Sequence, residues 1–150
     1  MKTEAKSATA WESRSTHIPL ILAALLSLFS WLLSEWWEKG LATPLNVTVS
    51  PNGCYRVESF KPFWLLPDMF HREHDPNDDR EPTWFPHWEY PGFYRLYNHR
   101  SGALLGESRV YDLAYASGPL TWGAGSKSVF AGMIYLGPNT LDCIGDNPSG

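Results

Sequence analysis

Phe70 to Glu81 reads FHREHDPNDDRE, which puts two histidines, two arginines and five carboxylates into twelve residues. His71 and His74, three apart and followed by Asp75 and Asp79, are ligand types that zinc accepts. The spacing argues against a standard metal motif. His-x-x-His here lies on no periodic helix, and no His-Glu-x-x-His is present. Asp75, Asn77 and Asp79 copy the first half of a calcium loop. Its sixth position, however, is Arg80 where a tight turn needs Gly, and its twelfth is Pro86 where a bidentate Glu belongs. His71, His74, Asp75 and Asp79 therefore stand as metal candidates against the reading of a solvated acidic loop, which is favoured.

Other chemistries find less support. There is no Gly-x-Ser-x-Gly, and SGALLG and GAGSKS read as turns; GAGSKS also lacks the spacing of a phosphate loop. A pair of carboxylates could meet in the fold as in a glycosidase, but any acid-rich chain permits that. The expectation is a non-enzymatic protein without a cofactor. A metal-dependent envelope hydrolase using His71, His74 and Asp75 is the catalytic alternative.

The same segment is flanked by aromatics. Phe63, Trp64, Trp84, Phe85, Trp88, Tyr90, Phe93 and Tyr94 crowd the middle of the chain between prolines. Such rings supply core, dominate binding hot spots or lie at a membrane surface; core is favoured. Glu73, Asp78, Asp79, Trp84 and Trp88 are the candidate contacts to a protein partner.

The elements that would position these residues begin with a membrane segment. Ile18 to Trp37 is apolar apart from serines and Glu35, and its twenty residues would rise about 30 Å, one hydrocarbon thickness. Pro19 suits a first helical turn, and Trp31, Trp36 and Trp37 gather where an interfacial belt would sit. Gly40 and Ala42 offer small residues for cleavage. The long, acid-bearing leader and the closing tryptophans favour an uncleaved anchor. Lys2, Lys6 and Arg14 precede the run and Lys39 alone closely follows it, so residues 1–17 form a cytoplasmic tail and the C-terminal part is periplasmic. Ala23, Ser27, Ser30 and Ser34 make a small-residue stripe. Such a stripe allows another membrane helix to approach, as in a structural subunit of an envelope complex.

Cys54 and Cys143 are the only cysteines, both beyond the apolar run, and an even pair bracketing a small exported domain reads as a disulfide. From Glu38 onward nine Lys/Arg face thirteen Asp/Glu, a net of −4, so the basic footprint that nucleic acid needs is missing.

After a linker at 38–45, NVTVS, the turn PNG and CYRVESF form one hairpin, and GFYRLY, the turn NHRSG and ALLGES form another. RVYDLAYA reads as a further strand, LTW as a short one, and VFAGMIYLG as a single long one. Residues 71–91, with their prolines and charges, make a long acidic, aromatic-rich loop. The fold expected is mainly β: one N-terminal transmembrane helix, then a small antiparallel sheet or sandwich over 46–150.

SPNGCYRVESF, GFYRLYNHRSGALLGES, VYDL and LTW resemble an uncharacterised family of small membrane-anchored envelope proteins of Gram-negative bacteria. Ser50–Arg56, Arg95–Ser108 and Trp122 carry the likeness, which covers most of the exported part. The resemblance implies no catalytic residues. It implies an immunity-like role against a secreted bacterial toxin, hence an inner-membrane protein whose periplasmic domain binds another protein.

Overall fold

The computed structural model describes residues 9–77, 81, 83, 85–123 and 128–139, with the side chains of 9–17 and 31–35 left out of the description. The chain divides into two units, Met1–Trp37 and Glu38–Gly150.

One helix, α1, runs Thr9–Gly40. It starts nine residues before the expected span, so Pro19 lies inside the helix and not in its first turn. Its ring removes one backbone hydrogen bond there. The helix also takes up Glu38–Gly40, which shortens the expected 38–45 linker to residues 41 and 42. Ile18, Leu20, Ile21, Leu22, Leu25, Leu26, Leu28 and Phe29 are all more than half exposed. These positions cover most of the helix circumference and leave one strip, on which Ala23, Ser27 and Ser30 fall. Among the described residues no helix is long and apolar enough to cross a membrane. The unbroken described run, 18–30, rises only about 20 Å of the roughly 30 Å required.

The second unit is mainly β and antiparallel. Strands β1 (Thr43–Val49) and β2 (Tyr55–Lys61) form the first hairpin, with Val49 opposite Arg56. Its turn is closed by the buried Ser50, whose Oγ accepts from the Cys54 and Tyr55 amides at 3.0 and 2.9 Å. Gly53, at φ 68°, takes the left-handed position that the turn requires. Strand β3 (Pro91–Asn98) pairs with β2 from Tyr55↔Asn98 to Phe60↔Phe93, and β4 (Leu104–Glu107) completes the second hairpin. There Asn98 Oδ1 accepts from the Arg100 and Ser101 amides, both at 3.0 Å.

RVYDLAYA is not one strand. Only β5 (Tyr111–Asp112) is extended, on the far end of β3, and Leu113–Ala116 turns into a one-turn helix, α2. The Asp112 carboxylate accepts from the Ala114 amide at 3.1 Å, a helix N-cap that ends the strand. VFAGMIYLG likewise splits into β7 (Ser128–Ala131) and β8 (Ile134–Pro138), folded back about Gly132 and Met133. With β6 (Leu120–Thr121) they form a second sheet in the order β6–β7–β8.

One core joins the two sheets. Tyr55, Val57 and Leu96 from the first meet Trp122, Val129, Ala131, Ile134 and Leu136 from the second. The Tyr55 ring stacks parallel to Trp122, and its hydroxyl donates to Asn139. The sheets approach closely at β4 and β8, where a Cβ on Gly106 would run into the Leu136 carbonyl. The opposite face of the first sheet carries a smaller layer: Phe60 stacks on Phe93 with centroids 5.4 Å apart. The Arg95 guanidinium lies over both rings, and its Nε donates to Glu107 at 2.7 Å. Lys39 donates to the same carboxylate at 2.8 Å.

Candidate functional site

Between β2 and β3 the chain leaves the sheet for residues 62–90. Pro62 and Pro67 prevent a helix through KPFWLLPDMF, and only a single 3-10 turn forms, at Asp68–Phe70. Trp64 is the hub of this excursion. Its ring stacks on His71 at 4.1 Å and 7°, and meets Trp88 edge-on at 5.1 Å. The Trp88 indole donates to the His71 carbonyl at 3.3 Å. Beyond the hub, Glu73 and Thr83 exchange backbone hydrogen bonds at 3.3 and 3.2 Å, which folds the acidic tip back on itself. Within the tip, Asp75 Oδ1 accepts from the Asn77 amide at 2.9 Å, an Asx turn.

The folded tip faces α2 and the β7–β8 turn across a cleft of about 370 Å³. Among the described residues Glu73, His74, Asp75, Glu81, Asp112, Tyr115 and Met133 line it, and no Lys or Arg does. The Asn77 amide reaches Met133 Sδ at 3.6 Å across this space. Burial raises the Glu73 carboxyl above its ordinary value, and the charges of Asp112 and Asp75 add to that. The Tyr115 hydroxyl is raised because it donates to Glu89, whose charge adds to the effect.

Asp112 builds the floor. It is 2 % exposed, and besides capping α2 it accepts from the Glu89 and Tyr90 amides at 2.7 and 2.9 Å. One carboxylate thereby joins the end of the excursion to the start of α2. A second cleft of about 490 Å³ lies between β1 and β6, lined by Asn46, Thr48, Ser59, Tyr94, Ser117 and Trp122. Among the described residues its lining holds no Asp, Glu, Lys, Arg or His, so of these two clefts the acidic one has charge to offer a ligand.

The described metal candidates are not grouped together, and Asp79 lies outside the described residues. His71 is committed to the Trp64 stack and lies outside the acidic cleft, whereas His74 and Asp75 line it. Among the described residues no three His, Cys, Asp or Glu side chains are grouped to hold a metal ion. Of the expected partner contacts, Glu73 lines the cleft; Trp88 is 5 % exposed and serves as packing, which removes it from the binding surface. Asp78, Asp79 and Trp84 lie outside the described residues. Cys54 is buried and disulfide-bonded, and no described cysteine is free; Cys143 also lies outside the described residues.

Asp112, Tyr115 and Met133 were not anticipated as site residues. Asp112 had a signal, since Asp before Leu-Ala-Tyr-Ala is a helix N-cap followed by good helix formers. Tyr115 and Met133 enter through tertiary folding alone. No known protein family, curated protein or solved structure matches this chain.

Proposed function

We propose that this chain is a non-enzymatic membrane-anchored protein whose C-terminal domain lies in the periplasm and binds another protein through the acidic cleft. One observation carries the binding reading: Glu73, Asp75, Glu81 and Asp112 converge on a cleft whose described lining holds one histidine, His74, and no Lys or Arg. A Lys or Arg side chain projecting from a partner is the complementary group, with a planar guanidinium able to bridge two carboxylates. Asp112 already accepts three amides, so the incoming cation is met chiefly by Glu73, Asp75 and Glu81. Burial raises the Glu73 carboxyl, and the nearby charges of Asp112 and Asp75 add to it.

The anchor is supported by the continuity of α1 through the whole apolar run Ile18–Trp37 and by the broad exposed apolar surface of its described part, 18–30. So broad an apolar surface needs a protein core or a lipid core around it. Periplasmic placement is supported by the basic residues before the run and by the disulfide at Cys54, for which Cys143 is the partner that the sequence offers. The resemblance to small envelope proteins of Gram-negative bacteria extends the reading to an immunity-like role, with a secreted toxin bearing a basic segment as the partner.

Comparative isolation tests the binding claim. The full chain and a Glu73→Gln/Asp75→Asn/Glu81→Gln variant are purified from the same membranes, and co-purifying proteins are quantified for each. A protein recovered with the wild type and depleted with the variant is the expected result. Identical recovery would contradict the proposal.

A further inference from the structure

Residues 63–70 form an apolar surface that the acidic cleft does not use. Phe63, Leu65, Leu66, Met69 and Phe70 are 40–70 % exposed, and Leu65 at 70 % is the most exposed large apolar side chain among those described. Phe85 adds a ring 65 % exposed, edge-on to Phe70 at 6.1 Å. Its φ of 54° is a left-handed conformation that aromatic residues seldom adopt. From Pro62 to Pro67 the loop has no charge at all. Asp68 turns its carboxylate onto its own loop, accepting the Met69 amide at 2.8 Å. An apolar group this size, with Lys61 before it and the acidic segment after it in the chain, marks a contact surface.

The root of the loop identifies the contact. The Phe63 amide donates to the Glu38 carbonyl at 2.9 Å, and the Trp64 indole donates to the Glu38 carboxylate at 3.0 Å. Glu38 directly follows Trp37, the last residue of the apolar run. If that run spans the bilayer, the loop is tied by two hydrogen bonds to the first residue outside it. Its leucines and phenylalanines are then held at headgroup depth, where side chains of this kind insert about 5–10 Å. The stack of Trp64 on His71 and Trp88 gives the loop a rigid base from which to present them.

We propose that residues 63–70, together with Phe85, insert into the outer headgroup layer of the anchoring membrane and so fix how the domain stands on it. The proposal rests on the membrane-anchor reading, and the test separates the two.

The full chain is reconstituted into phosphatidylcholine/phosphatidylglycerol vesicles containing a carbene-generating apolar photolabel, and labelled peptides are mapped by mass spectrometry. Label on both the 18–37 segment and residues 63–70 is expected, with a Leu65→Asp/Phe70→Asp variant losing only the loop label. Both substituted side chains are exposed, so the fold is not at stake. Label on 18–37 without label on the loop overturns the insertion and leaves the anchor standing. No label on either segment overturns both. Label on the loop alone supports insertion and removes the anchor. Loop label that persists undiminished in the variant also overturns the proposal.

Discussion

Replacing Asp112 by Ala removes the acceptor of three backbone N–H groups at once: Glu89 at 2.7 Å, Tyr90 at 2.9 Å and Ala114 at 3.1 Å. Loss of the α2 cap costs about 1 kcal/mol, and each charge-assisted bond to the excursion about 1.5 kcal/mol, so the change should destabilise by about 4 kcal/mol. That is a large part of the roughly 5–15 kcal/mol by which a domain is stable. Asp112→Asn separates the contributions. Its Oδ1 can still accept from Tyr90 and Ala114, but an amide NH₂ then faces the Glu89 N–H, so about 2 kcal/mol should be lost. Equilibrium urea unfolding of the full chain in detergent micelles, followed by tryptophan fluorescence, reads both values. Amide hydrogen exchange should show residues 89, 90 and 114 losing protection together. A cost below about 1 kcal/mol for Asp112→Ala, or unchanged protection at those amides, would refute the account of Asp112 as the link between the excursion and α2.

Four further outcomes are expected. Burial raises the Glu107 carboxyl, but hydrogen bonds and charges from Lys39 and Arg95 outweigh it and hold the group below its ordinary value of 4.5. Its stabilisation is therefore full above pH 4.5 and fades as pH falls through the lower folded value; Glu107→Gln should flatten that part of a pH-dependent melting series. Gly106→Val forces a side chain into the Leu136 carbonyl and should cost about 1–3 kcal/mol in urea unfolding. Leu136→Ala empties a fully buried core position and should cost about 2–5 kcal/mol in the same assay. Because Glu73 is raised, partner binding should weaken as pH falls through its folded value, where the carboxyl becomes neutral. Binding measured across mildly acidic pH checks this, and Glu73→Gln should remove most of the dependence.

The hairpins were readable because their turns have their own chemistry: Pro-Asn-Gly and His-Arg-Ser-Gly each bring a Gly to a positive φ between alternating runs. The division of VFAGMIYLG was hidden because Gly132 and Met133 sit in an apolar stretch with no polar turn signal. Asp112 ended RVYDLAYA as a strand through a local capping bond, a signal that is present in the sequence but competes with the β-branched and aromatic residues before it. His71 and His74 are three apart in sequence, yet His71 is drawn into a tryptophan stack and His74 into the cleft. Spacing within a loop does not fix side-chain direction as it does on a helix. Tyr115 and Met133 join the cleft only because α2 and the β7–β8 turn meet there, a contact between elements far apart in the chain.

Photo-crosslinking from the cleft tests the central claim most directly. Tyr115 lines the cleft and is 67 % exposed, so a photoreactive amino acid at this position samples whatever enters, in intact cells. The account predicts a discrete protein adduct whose crosslinked peptide carries Lys or Arg, and which disappears with Glu73→Gln/Asp75→Asn/Glu81→Gln. An adduct unaffected by removing those charges, or no protein adduct at all, would contradict it.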